Sequence, residues 1–177
     1  MQVSRQPTPS PKVDCDARPA PESVTIMTTV VRALTPADWS AFWPMLKDMG
    51  TDDDEATARP RFIELVQDPR WGVLGIEEGT DLVGYAAIQD HGPHLRLGNL
   101  HRIARLHDLY VVPSARRHGV GSRLMAGVKA WTAERARYLE WQASTRLAPF
   151  YENLGHRGEP CPQPEYPTYV IDFREGP

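Results

Sequence analysis

Between His107 and Met125 the chain reads HDLYVVPSARRHGVGSRLM, and this run restricts the possible folds more than any other. Residues 109–112 form a short apolar run with the character of a strand. Pro113 ends it, because proline has no N–H to give a sheet ladder. Gly119 and Gly121 lack a Cβ, so the backbone there can turn tightly and approach a ligand closely. Beyond them Val120, Leu124, Val128 and Trp131 recur at helical spacing and predict a helix with one apolar face. The unpaired N–H groups of its first turn, at the positive end of the helix dipole, make a seat for an anion. Arg116, Arg117 and His118 stand beside that seat.

Two common phosphate loops are excluded. A dinucleotide fingerprint needs a third glycine where Leu124 stands, and a Walker loop needs lysine after its glycine, whereas Gly121 is followed by Ser122 and Arg123. What remains is R-x-x-G-x-G over residues 116–121, set between a strand and a helix.

The rest of the chain supplies the layers around this turn. Residues 1–24 carry prolines at 7, 9, 11, 19 and 21 among polar residues, a composition expected to stay disordered. Residues 25–34 are rich in β-branched side chains and predict the first strand. Thr35-Pro36 reads as a helix start, with Trp39, Phe42, Trp43 and Leu46 on one face and Gly50 as the stop. The acidic run Asp52 to Glu55 leads into a second helix over 55–67, read either as a solvated helix start or as a lure for a cationic substrate. Strands are expected at 71–77 and 82–89, joined as a hairpin by Glu78-Gly79-Thr80-Asp81. A connection rich in Gly and His, residues 90–102, follows and reads as a wall of a substrate pocket. Strands at 138–144 and 168–173 complete the pattern.

Just after the 138–144 strand comes Ala148-Pro149-Phe150-Tyr151-Glu152-Asn153-Leu154-Gly155-His156. Phe150 and Leu154 share a helical face, and Gly155 is a stop. The R-x-x-G-x-G turn and this A-x-x-F-Y-x-x-L-G block, about thirty residues apart and each after a strand, resemble the two signatures of the GNAT superfamily of acyl-CoA-dependent N-acyltransferases. The resemblance covers residues 25–173. Two positions depart from the pattern: Thr145 stands where the family usually has asparagine, and His156 where it has an apolar residue.

The resemblance implies an α/β (α+β) GNAT fold, with a central mixed, mostly antiparallel twisted sheet of about six to seven strands flanked by about four helices. It implies a single domain over 25–177 and acetyl-CoA as co-substrate, with no metal. The cofactor-binding residues would be Leu109, Tyr110, Val111, Arg116, Arg117, His118, Gly119, Val120, Gly121, Ser122 and Thr145. A bulge or splay in the strand would free an N–H to polarise the thioester carbonyl. Tyr151 would be the acid that protonates the departing thiolate. Asp108 is the chosen base, with Glu140 and His107 as further candidates. The acceptor would be a small amine or a protein amino group, and a homodimer is compatible with the family. The alternative is a non-catalytic acyl-CoA sensor in which Tyr151 only packs.

Composition narrows the partners. The net charge of −3 argues against nucleic-acid binding. Cys15 and Cys161 are too few for a disulfide framework. No apolar run reaches the length of a membrane span, and residues 1–24 lack the apolar centre of a signal peptide, so a cytoplasmic location is expected. His91, His94, His101 and His107 show no metal-ligand spacing.

Overall fold

Strand β1 (Thr29–Ala33), β2 (Trp71–Glu78) and β3 (Asp81–Asp90) pair antiparallel in chain order, β2 and β3 through a turn at Gly79. The computed structural model describes residues 29–158. The expected tail 1–24, the start of the first strand, Cys15, Cys161 and the expected strand 168–173 lie outside the described residues. Strand β4 (Ile103–Val111) joins β3 antiparallel, and β5 (Tyr138–Trp141) joins β4 in parallel, giving one sheet in the order β1-β2-β3-β4-β5. Five strands therefore stand among the described residues, against the six to seven expected. No helix among the described residues is long and apolar enough to cross a membrane.

Helices α1 (Trp39–Met49) and α2 (Glu55–Gln67) cover one face of the sheet. Thr35 and Pro36 do start the first helix, but by way of a 3-10 turn, Pro36–Asp38. The Asp38 carboxylate accepts the Thr35 N–H at 2.7 Å and is held by Arg32 at 2.6 Å. These bonds hold the Asp38 carboxyl at about 2, below its ordinary value. The buried rings of Trp39, Phe42, Phe62 and Tyr85 pack at centroid distances of 4.5 to 6.2 Å, each burial worth roughly 1.5–3 kcal/mol. Three of the four residues of the acidic run, Asp53, Asp54 and Glu55, are engaged by structure. Asp54 caps α2 by accepting from the Thr57 N–H at 2.8 Å, Glu55 accepts from Trp39 Nε1 at 2.8 Å, and Asp53 pairs with Arg61.

Helix α3 (Val120–Ala133) packs on the other face, with Val120, Leu124, Met125 and Val128 buried against Leu74, Ile76, Ala86, Ile88, Ala104 and Leu106. It crosses over from β4 to the parallel β5, the connection a parallel pair requires. Close approach is enforced at Gly127, where a Cβ would stand 2.7 Å from Val31 Cγ1, and at Gly72, where it would meet the Trp131 ring at 2.6 Å. Helix α4 (Ala148–Asn153) lies across the end of α3; a Cβ on Gly121 would sit 3.4 Å from the Phe150 ring.

Two strand boundaries differ from expectation. The fourth strand begins at Ile103 rather than at 109, and part of the expected 90–102 connection is strand too, since β3 runs to Asp90. Arg105, His107 and Asp108 conceal this stretch, because polar side chains on an open sheet face look like loop. The fifth strand stops at Trp141 rather than 144.

Candidate active site

The site begins with an irregularity in β4. Asp108 pairs with Ala87, yet Leu106 pairs with Ile88, so His107 is an extra residue, a β-bulge. Strict alternation from Ala104 and Leu106 would send Asp108 and Tyr110 to the α3 face. The bulge reverses this, so Leu109 and Val111 pack on the α3 side while Asp108 and Tyr110 face α1 and α2. The bulge was expected within the stretch from Leu109 to Val111 and lies just before it. No glycine or proline marks it, because it arises from how β4 pairs with β3.

The bulge is also where the sheet divides. Only Ile103 to Leu106 pair with β5; from His107 onward β4 has a strand on one side only among the described residues. The Val112 N–H bonds to Val83 and the Tyr110 carbonyl faces Gly84, so the main chain of Tyr110 is turned towards β3. By alternation, Leu109 and Val111 direct their main-chain groups to the free edge. Of the three strand residues expected to meet the cofactor, Leu109 thus turns both main-chain groups to this edge and Val111 its N–H, the Val111 carbonyl being bonded to Arg116. The Tyr110 ring is buried instead against Tyr85, 5.9 Å away, and its hydroxyl donates to Asp48.

At the end of this edge the chain turns through Pro113–Ala115 into α3. Gly119 takes φ +79° with open space around its Cβ position, and Arg117 takes φ +67°, a left-handed conformation rare for arginine. The Arg123 N–H bonds back to the Gly119 carbonyl at 3.1 Å. The N–H groups of Val120, Gly121 and Ser122 precede it, have no acceptor within the helix, and receive no side-chain cap. Val120 as a whole is buried, whereas Gly121 and Ser122 are partly exposed. Arg117 and His118 are exposed beside these donors. Arg116 folds back, donating from Nε to the Val111 carbonyl at 2.8 Å with its guanidinium over the Tyr110 ring. This cradle of free N–H groups and cations fits a pyrophosphate, and the free edge leading to it fits an extended amide-bearing arm. Thr145 opens a 3-10 turn between β5 and α4 and is exposed.

Tyr151, on α4, is 8% exposed and packs against Trp141 and Phe150 at 5.3 and 4.9 Å, in the same cluster as Leu106, Leu109 and Val111. Burial pushes its phenol above the ordinary value. His156 stands edge-on to Trp141 at 5.3 Å, its Nε2 buried with no partner among the described residues.

Asp108 is on the opposite face from this cluster. Burial raises its carboxyl, and the neighbouring His107 only partly offsets that. His107 stacks on Trp71 at 5.0 Å, and its Nε2 lies 3.1 Å from the Gln89 side-chain oxygen. That oxygen only accepts, so the imidazole donates there and keeps Nδ1 as a lone pair. Burial, with Arg105 nearby, lowers its affinity for a second proton. The Tyr85 hydroxyl, on the Asp108 face, is buried with no partner among the described residues. Trp71, Gln89 and Tyr85 escaped sequence reasoning, since nothing local distinguishes them from ordinary strand residues.

The family model described as the acetyltransferase (GNAT) family matches residues 38–156. A ribosomal-protein-alanine N-acetyltransferase from Brucella melitensis biovar Abortus 2308 has a similar structure, with TM-score 0.63 and 20% identity over 82% of this chain and 99% of that one. Glucosamine-6-phosphate N-acetyltransferase from Arabidopsis thaliana gives TM-score 0.64 and 20% identity over 78% and 98%. An aminoglycoside N-acetyltransferase solved in complex with CoA gives 0.64 and 16% over 83% and 94%. A search of curated proteins gives no match.

Proposed function

This chain belongs to the GNAT acetyltransferase family, and on that premise we propose that it is an N-acetyltransferase moving an acetyl group from acetyl-CoA to a primary amine by direct attack. The single observation that carries the reading is the free edge of β4 between the bulge at His107 and the open N-terminus of α3. Bound acetyl-CoA supplies an activated acyl group as a thioester. The N–H groups of Val120, Gly121 and Ser122, with Gly119, Arg116, Arg117 and His118 around them, hold its pyrophosphate. Leu109 and Val111 pair with its amide-bearing arm as an added strand would, and Thr145, exposed between β5 and α4, is a further contact for it. A main-chain N–H at the bulge polarises the thioester carbonyl.

Asp108 takes a proton from the incoming ammonium. The amine nitrogen forms its bond to the carbonyl carbon, the carbon–sulfur bond breaks, and Tyr151 gives its proton to the departing thiolate; the second proton that the nitrogen sheds as the amide forms restores the phenol, and Asp108 releases its own to solvent. A phenol raised by burial stays protonated throughout the neutral range, as an acid for a basic leaving group must.

Substituting Tyr151→Phe tests the assignment. Turnover is expected to fall about 10²-fold or more while CoA affinity by calorimetry stays within a factor of two or so. Unchanged turnover across pH would remove Tyr151 from the mechanism, and CoA binding without thiol release from any amine would favour an acyl-CoA sensor.

A further inference from the structure

We propose that the acceptor is a diamino acid of the lysine or ornithine type, acetylated on its side-chain amine and held by its α-carboxylate and α-ammonium. This rests on the acetyltransferase reading above. On β3, Tyr85, Ala87 and Gln89 share one face, and their partners on β4, Tyr110, Asp108 and Arg105, share it too. Arg105 pairs in turn with Glu140 on β5, whose neighbours Leu139 and Trp141 pack on the α3 side. Asp108, Arg105 and Glu140 therefore lie along one track on one face of the sheet, running away from α1 and α2.

Beyond the bulge this track enters an open groove of about 390 Å³, lined by His91, His94, His101, Ile103, Arg105 and Glu140. Its size suits a small molecule. Among the described residues neither Arg105 nor Glu140 has an ion-pair partner, although they are adjacent in the ladder. A cation and an anion side by side, each unmatched, make a receptor for a zwitterion: the guanidinium takes a carboxylate and the carboxylate takes an ammonium. The two formal charges cancel, so the groove does not attract a polycation. Of the acidic run at 52–55, none lines the groove, and Asp53, Asp54 and Glu55 are bound elsewhere.

Spacing then sets the acceptor's length. Arg105 and Asp108 are three positions apart with one bulged, about 7–10 Å at the rise of a strand. An extended side chain of about three or four methylenes spans most of that distance at ~1.3 Å per bond along the chain. The zwitterionic head rests on Arg105 and Glu140, and the far amine reaches Asp108 at the bulge.

The test measures binding and turnover separately. The full chain saturated with CoA is titrated with lysine, ornithine, cadaverine, Nα-acetyl-lysine and a peptide ending in lysine, and thiol release from acetyl-CoA is followed with each. Lysine or ornithine is expected to bind at least tenfold tighter than cadaverine. Arg105→Gln should abolish that preference, weakening lysine at least tenfold while cadaverine, relieved of a neighbouring cation, binds as well as before or better. Glu140→Gln should abolish the advantage of lysine over Nα-acetyl-lysine and over the peptide, which lack the free α-ammonium. Cadaverine binding as well as lysine, or a preference that survives Arg105→Gln, overturns the proposal whether or not turnover is seen. Arg105-dependent lysine binding with no thiol release upholds the groove and counts against the acetyltransferase reading instead.

Discussion

The two ends of β4 are built from similar residues and do different things. From Ile103 to Leu106 the strand is paired on both sides, and Ala104 and Leu106 are sealed beneath α3. From His107 to Val111 it is paired on one side only among the described residues, and Leu109 and Val111 are only partly buried. One inserted residue separates the halves. A continuous ladder satisfies its own backbone and has nothing left for a ligand, whereas an interrupted one leaves donors and acceptors unmatched. The first half supports the structure, and the second has hydrogen-bonding capacity to spare.

Three experiments bear on that contrast. Deleting His107 removes the bulge without changing the faces of Asp108 to Val111, because Leu106 and Asp108 already point to opposite sides. We expect a folded protein with a cooperative thermal transition and turnover reduced about 10²–10³-fold, the usual effect of losing an oxyanion donor. Retained turnover would show that the extra residue is not needed for chemistry. Next in size, Leu106→Ala should cost about 2–5 kcal/mol in denaturant unfolding, and Leu109→Ala, on a half-buried side chain, distinctly less. Equal losses would mean that the two halves are equally part of the core.

The smallest effect concerns pH. Burial raises the Asp108 carboxyl, so the base is ionised only above a pH higher than an ordinary carboxylate needs. The acidic limb of kcat/KM should lie above the ordinary carboxylate range, falling about tenfold per pH unit below it. Asp108→Asn should flatten that limb. A limb that persists unchanged would pass the role to the His107 lone pair or to Glu140.

Residue pattern alone located most of the helices and strands. The hairpin, the α2 boundaries, the glycine turn and the Phe150-Tyr151 helix could all be read locally, because periodicity, caps and breakers are properties of neighbouring residues. The same local logic indicated an anion seat before α3, whereas the role given to Tyr151 came from the family resemblance. It could not find the start of β4, since Arg105, His107 and Asp108 have the polarity of a loop until an open sheet face is known to be beside them. The bulge was equally hidden, because a bulge is defined by the partner strand and not by the residue inserted. Which face Asp108 occupies, that Tyr110 turns inward to Asp48, and that Arg105 and Glu140 meet across two strands were all decided by pairing between distant segments. Sequence determined the elements and the residues capable of chemistry. Tertiary structure decided which of them meet, because strand register is fixed by hydrogen bonds and packing across the sheet.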